Sequence, residues 1–257
     1  MGKPMTREVL FLVRAGRQSL HQSWGIGDDR LFDVHVSYYG ETDFPYSDSS
    51  DSHSFELGAK WVGIQQYLYK HPDVLDRYAY IGFFDDDLVG TTQTINRLAK
   101  ALLKDRPLLA QPALTRNSYY SHEVTLARPF SVKRHVNFVE IMCPCIRTDF
   151  LKNIIETFAI NSSGWGLEWL WAARARTDFP GESFLIYDHL MIEHTRPVGS
   201  AGSGGAIMSP KEEMAAIFQH HAMPFFKPNT LQQGWLSALV WRLCRQRLVM
   251  HWKNEDA

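Results

Sequence analysis

Tyr78-Ala79-Tyr80-Ile81-Gly82-Phe83-Phe84-Asp85-Asp86-Asp87 is the stretch on which the fold turns. Its first part is uncharged and rich in aromatics, the composition of a buried strand. It breaks off into three adjacent carboxylates. Such groups repel one another, and half-burying them at the end of an apolar strand without a cation is costly. Mg2+ or Mn2+ relieves the repulsion, because hard divalent cations prefer carboxylate oxygens. In open α/β sheets, ligands gather beyond the carboxyl ends of strands, which is where this cluster stands. The other reading is a solvated turn that opens the next helix, since Asp also suits helix N-termini.

Outward from this stretch, strand and helix patterns alternate. Glu8 to Arg14 reads as a buried first strand, and Phe32 to Tyr39 alternates at period two as a second. Residues 41–55 are acidic and Ser-rich without periodicity, so a loop is expected. Gly58 to Tyr69 has apolar residues at helical spacing and ends near His71-Pro72. After the acidic cluster, Thr91 to Leu103 places Ile95, Leu98, Ala99 and Leu102 on one helical face, and Leu108 to Pro112 reads as a strand. This order predicts an α/β fold with a mixed, mostly parallel sheet. Further on, Val139 to Met142 and Phe184 to Tyr187 read as strands and Asp149 to Ala159 as a helix. Val198 to Ala206 is Gly/Ser-rich and reads as a hinge. Ser209-Pro210-Lys211-Glu212 then has the form of a capping box with Pro at the first helical position. The expected organisation is one domain over residues 1–200, followed by a hinge and helical tail over 201–257.

Bulk properties narrow the function. With 257 residues, 45% hydrophobic and 21% charged, the chain can build a sizeable core. A formal charge of −1 gives no reason to expect nucleic acid as partner. No apolar run is long enough for a signal-peptide core or a membrane span. Three cysteines, Cys143, Cys145 and Cys244, without C-x-x-C spacing fit free thiols in a reducing, cytoplasmic setting. The tail from Gly234 to Lys253 combines Trp and Leu with basic residues and has no acid. That composition suits a helix on an anionic membrane surface, at the inner face of the membrane. The same helix also suits packing on its own domain or on a second subunit.

Two further segments carry chemistry. Asp188-His189-Leu190-Met191-Ile192-Glu193-His194 offers a late imidazole, a common extra metal ligand. Gly164-Trp165-Gly166-Leu167-Glu168-Trp169 permits a close backbone turn and presents Glu168 at the start of an aromatic helix. A carboxylate in that apolar setting can take a proton from a sugar hydroxyl, and equally can satisfy helix N-terminal donors. Arg14 and Lys60 are candidate contacts to a base or phosphate, or solvated cations.

Taken in order, Phe83 to Leu88, Gln111 to Leu114, Val139 to Pro144, Gly164 to Glu168, and Asp188 with His194 resemble a family of uncharacterised bacterial and plant proteins. Its plant members carry a label related to lysine-ketoglutarate reductase trans-splicing. That family in turn looks like the A-type-fold (GT-A) glycosyltransferases, whose single Rossmann-like domain holds Mn2+ or Mg2+ on an Asp-x-Asp pair. The resemblance implies a transferase that moves a sugar from a nucleotide-sugar donor to a glycan or lipid-linked acceptor, as in bacterial surface-polysaccharide synthesis. It implies Asp85, Asp87 and His194 as metal ligands and Asp85, Asp86, Gln111, Arg14 and Lys60 around the donor. It also implies Trp165 and Glu140 at the acceptor, and Glu168 as base with Asp188 in reserve. Two rival readings are a nucleotidyltransferase acting on sugar phosphates and a non-catalytic sugar-binding protein on the same fold. No residue pattern speaks to oligomeric state.

Overall fold

The structure is a computed structural model that describes residues 7–27, 29–40, 43–198 and 208–248. In chain order the elements are β1 (Val9–Ala15), α1 (Gln22–Gly25), β2 (Asp33–Tyr38), β3 (Ser52–Phe55), α2 (Lys60–Lys70), α3 (Val74–Arg77), β4 (Tyr80–Asp85), β5 (Leu88–Val89) and α4 (Thr92–Asp105). They continue with β6 (Leu109–Leu114), β7 (Arg134–Val136), β8 (Cys145–Arg147), α5 (Thr148–Ile154), α6 (Leu167–Asp178), β9 (Phe184–His194), α7 (Pro210–His220), β10 (Thr230–Gln232) and α8 (Trp235–Leu248).

The sheet runs β10-β7-β9-β6-β8-β4-β1-β2-β3. Along this path β7 and β8 oppose the direction of the other described strands, so the sheet is mixed and mostly co-directional. Side chains of β1 alternate between its two faces. Leu10 and Leu12 join one core with Trp61 and Ile64 of α2 and with α5 and α6. Val9, Phe11 and Val13 join the other core with Trp24 of α1 and with α4. A strand covered on both sides must be apolar throughout, which is why β1 reads as an unbroken hydrophobic run.

Three sequence expectations change here. Residues 41–55 are not all loop: Ser52–Phe55 form β3, parallel to β2 at the end of the sheet path. Its polarity follows from that edge position. The Ser52 and Ser54 hydroxyls sit 2.9 and 2.8 Å from the two ring nitrogens of His35. Val139 to Met142 is not a strand. The chain does track β4, since the Phe83 and Asp85 N–H groups donate to the Pro144 and Met142 carbonyls at 2.8 and 3.0 Å. Pro144 has no N–H to return, so the ladder is one-sided and regular pairing begins only at Cys145. Finally, β9 extends well past Tyr187 to His194, with a register shift against β6 between Pro112 and Ala113.

That extension positions the site. After the shift, β9 continues as Leu190, Ile192 and His194 facing inward, and it pairs antiparallel with β5, Leu88 opposite His194. Because β5 follows the acidic cluster directly, His194 is brought beside Asp87. The Thr195 N–H and hydroxyl both donate to the Asp87 carbonyl, at 3.2 and 2.9 Å, and lock this junction.

The C-terminal segment packs on the domain. The capping box at Ser209 and Glu212 opens α7 as expected, and Ile217 is buried in the core beside α6. Of the segment Val198 to Ala206, read from sequence as a hinge, residues 199–206 lie outside the described residues. No helix among the described residues is long and apolar enough to cross a membrane.

Candidate functional site

A cleft of about 2060 Å³ opens over the carboxyl ends of β1, β4 and β9. Its walls include Arg14, Lys60, Asp85, Asp86, Asp87, Glu140, Trp165, Glu168 and His194. These residues come from segments up to 180 positions apart by their numbering, and the sheet order brings them together.

Asp85, Asp87 and His194 each offer a ligand atom, and these atoms lie within 4.8 Å of one another. His194 Nε2 is 3.2 Å from Asp87 Oδ2, and its Nδ1 lies 2.8 Å from the Tyr119 carbonyl oxygen. A ring N–H given to that carbonyl leaves the Nε2 lone pair directed at the cluster, the usual arrangement behind a metal-bound histidine. Asp87 Oδ1 is buried and has no hydrogen-bond partner. A carboxylate oxygen left this way is costly unless a cation or its hydration occupies the space beside it. Two carboxylates and an imidazole are a donor set suited to Mn2+ or Mg2+. Burial lowers the affinity of His194 for a proton, but its hydrogen bond to Asp87 and the Asp87 charge outweigh this and raise its pKa.

The other acid of the triplet has a different task. Asp86 accepts from the Gly16 N–H at 3.0 Å and the Tyr39 hydroxyl at 3.2 Å, and pairs with Arg196 at 2.9 Å. Arg196 also donates to the Gln18 carbonyl at 2.6 Å. Asp86 therefore ties the loop after β1 and the segment after β9 to the end of β4. Lys60 Nζ pairs with Asp85 at 2.6 Å and donates to the Ile141 carbonyl at 2.6 Å. Arg14 is held by the Ser37 hydroxyl at 3.0 Å and the Gly58 carbonyl at 2.8 Å, and its guanidinium lies over the Tyr39 ring.

The same cleft holds two buried acids, Glu140 and Glu168, 3% and 5% exposed. The turn before α6 passes through positive φ at both Gly164 (78°) and Gly166 (95°), which L side chains rarely adopt. A Cβ at Gly164 would also lie 2.5 Å from the Trp61 ring. This turn delivers Glu168 to the cleft, where its Oε2 accepts from the Gly166 N–H at 3.2 Å. Burial raises the Glu168 pKa to about 8, and the nearby Glu140 adds to the rise. Burial likewise raises Glu140 to about 7, against a lowering by the Ser121 hydrogen bond. Glu140 Oε2 has no partner. Trp165 is half-buried at the rim nearby.

Two residues expected in the site lie outside this lining. The Gln111 side chain is fully buried beneath the wall, where its Oε1 accepts from the Glu140 N–H at 2.8 Å, so it positions Glu140. Asp188 is turned away into a fully buried ion pair, its carboxylate 2.8 and 3.0 Å from Arg134 Nε and 2.9 Å from the Arg128 N–H. Its environment is that of a structural pair at the β9 register shift. Removing one partner of a buried pair leaves an uncompensated charge. Asp188→Asn is therefore expected to lower the unfolding free energy by about 3 kcal/mol in urea titrations. Conversely, Tyr39 and Arg196 were not singled out as site residues from sequence, and their importance comes from contacts with Asp86 across the fold. The only sequence signal for Arg196 was a cation close behind His194.

No family model matches the chain, and no curated protein matches it by sequence. The resemblance to the bacterial and plant family therefore rests on its motifs alone. Solved structures do share the architecture. GalNAc-T7, solved with UDP, GalNAc and Mn2+, aligns at a TM-score of 0.57 and 8% identity, over 84% of this chain and 48% of its own. TarS 1-349 of S. aureus aligns at 0.53 and 11% identity, over 83% and 71%. Glucosyl-3-phosphoglycerate synthase from Mycobacterium tuberculosis, in complex with Mn2+, UDP and phosphoglyceric acid, aligns at 0.52 and 11% identity, over 85% and 80%. This chain spans about half the length of the GalNAc-T7 chain. The fold is that of the A-type glycosyltransferases.

Proposed function

We propose that this protein is a metal-dependent glycosyltransferase that moves a sugar from a nucleotide-sugar donor to a hydroxyl of a glycan or glycolipid. The observation that carries the reading is the convergence of Asp85, Asp87 and His194 at the carboxyl edge of the sheet, with one buried Asp87 oxygen unpartnered. The fold supports it, since similar structures were solved with UDP and Mn2+.

Asp85, Asp87 and His194 would hold Mn2+ or Mg2+, which when bound supplies positive charge to the departing nucleotide diphosphate. Lys60 and Arg14 add fixed positive charge on the same side of the cleft. Asp86 keeps the β1 loop and Arg196 in place around the donor. Glu168 accepts the proton of the attacking hydroxyl, in a pocket dry enough to make it a competent base. Glu140 and Trp165 orient the acceptor, Glu140 being held in turn by Gln111.

The test is a thermal-shift series with UDP, GDP and their sugar conjugates, with and without Mn2+. A bound ligand raises the unfolding midpoint by mass action. One nucleotide class is expected to give a shift of a few degrees that requires the metal. No metal-dependent shift with any of them would sink the reading. Pyrophosphate release from a nucleoside triphosphate would instead mark a nucleotidyltransferase.

A further inference from the structure

The C-terminal segment has two unlike sides. Toward the domain, Ser237 and Trp241 of α8 are buried, Trp241 lies under the Arg128 guanidinium at 4.9 Å from the ring centroid, and Ala238 and Trp241 line the cleft. Away from it, Trp235, Leu236 and Leu239 are 78%, 41% and 49% exposed. Positions i, i+1 and i+4 share one stripe of a helix. Leu231, just before on β10, is 68% exposed, and Phe225 at the cleft rim is also 68% exposed. Scattered exposed apolar residues are ordinary, but a cluster on one segment marks a contact surface.

Charge says what kind of contact. Helix α8 has Arg242, Arg245 and Arg247 and no Asp or Glu, a formal +3. The exposed apolar stripe thus lies on a helix that carries cations and no acid. A second copy docked on this face by two-fold symmetry would set like charge against like charge. An anionic lipid surface receives both features, Trp and Leu in its apolar boundary and Lys and Arg at its head groups.

We propose that the outer face of β10 and α8, centred on Trp235, Leu236 and Leu239, docks on an anionic phospholipid surface. Ala238 and Trp241 of the same helix line the cleft, so docking holds the cleft beside the lipid surface. This deepens the transferase reading by naming a lipid-borne acceptor, but the docking itself is measured without turnover. Failure of one therefore does not entail failure of the other.

The experiment is flotation of the full-length protein with vesicles of phosphatidylcholine alone and of phosphatidylcholine mixed with phosphatidylglycerol. Binding is expected to the mixed vesicles, falling as salt is raised. The double variant Leu236→Glu, Leu239→Glu should bind at least about tenfold more weakly, each exchange replacing an apolar contact with a charge repelled by the surface. Both positions are exposed, so the variant should keep the wild-type circular dichroism and midpoint. Equal binding to neutral vesicles, no binding to either, or undiminished binding by the variant would overturn the proposal. So would a concentration-dependent dimer in light scattering that the variant abolishes, which would make this face a self-association surface.

Discussion

Asp87→Ala is expected to abolish metal-dependent donor binding while leaving the fold intact. The fold should survive because Asp87 is anchored through its backbone: its carbonyl accepts from the Thr195 N–H and hydroxyl, and alanine keeps both bonds. The side chain serves the cluster alone. One of its oxygens faces His194 Nε2 at 3.2 Å, and the other is buried without a partner. Truncation relieves the repulsion of Asp85 but also removes the partner of His194, so the two effects oppose and the metal-free midpoint should stay close to that of the wild type. Transfer should fall on the order of 10³-fold, because stabilisation of the leaving diphosphate is lost along with a ligand. The check is paired: the nucleotide-dependent thermal shift with Mn2+, and the rate of donor turnover. Loss of both at an unchanged unliganded midpoint supports the assignment. A variant that still shows the full Mn2+-dependent shift would mean that the three converging ligand atoms are not the metal site. Asp86→Ala supplies a contrast. Its carboxylate joins Gly16, Tyr39 and Arg196, so its loss should loosen the β1 loop and weaken the donor affinity at any metal concentration.

How much of this was legible in sequence depends on which forces speak locally. Phe83-Phe84-Asp85 announced both a buried strand and its end, because the change from apolar to acidic happens within one chain segment. The capping box at Ser209 was equally local. The pairing of His194 with Asp87 was foreseen only through family resemblance. Nothing local says that β9 runs on to residue 194, since Asp188 and His189 interrupt the apolar pattern at the register shift. Asp188 itself entered as a site residue only through the family resemblance, as a reserve for the base. Its actual partner, Arg134, lies on β7, and only the sheet order reveals that the two meet. Gln111 was misleading for the opposite reason. It does serve the site, but by holding the Glu140 backbone from behind the wall. The segment from Val139 to Met142 has strand composition, and no propensity scale registers that Pro144 prevents the ladder from closing.

Glu168→Gln is expected to lower kcat by about 10² to 10⁴-fold without weakening the nucleotide-dependent thermal shift. Glutamine keeps the size and can still meet the Gly166 N–H, so the turn through Gly164 and Gly166 should persist. What is lost is the basic oxygen. The pH dependence then separates a base from a purely structural acid. Burial raises the Glu168 pKa to about 8, so the carboxylate form gains population as pH rises through that value. In the wild type kcat/KM should climb through about pH 8, and in Glu168→Gln that climb should disappear. Glu140, raised to about 7, contributes to the elevation of Glu168, so Glu140→Gln should move the wild-type midpoint downward. Stability should follow the same proton with the opposite sense. The folded-state pKa lies above the ordinary 4.5, so the native state holds the proton more tightly than the unfolded chain between those values. Wild-type stability is therefore expected to fall as pH rises from about 4.5 to 8, by up to a few kcal/mol for this nearly fully buried group. Glu168→Gln carries no such titration and should gain on the wild type across that interval, becoming the more stable protein in alkaline solution while remaining the slower enzyme. Urea titrations at acid and alkaline pH, set beside the rate profiles, read both effects from one pair of proteins. A variant that lost activity and stability together at every pH would show instead that Glu168 holds the α6 turn and takes no proton from the acceptor.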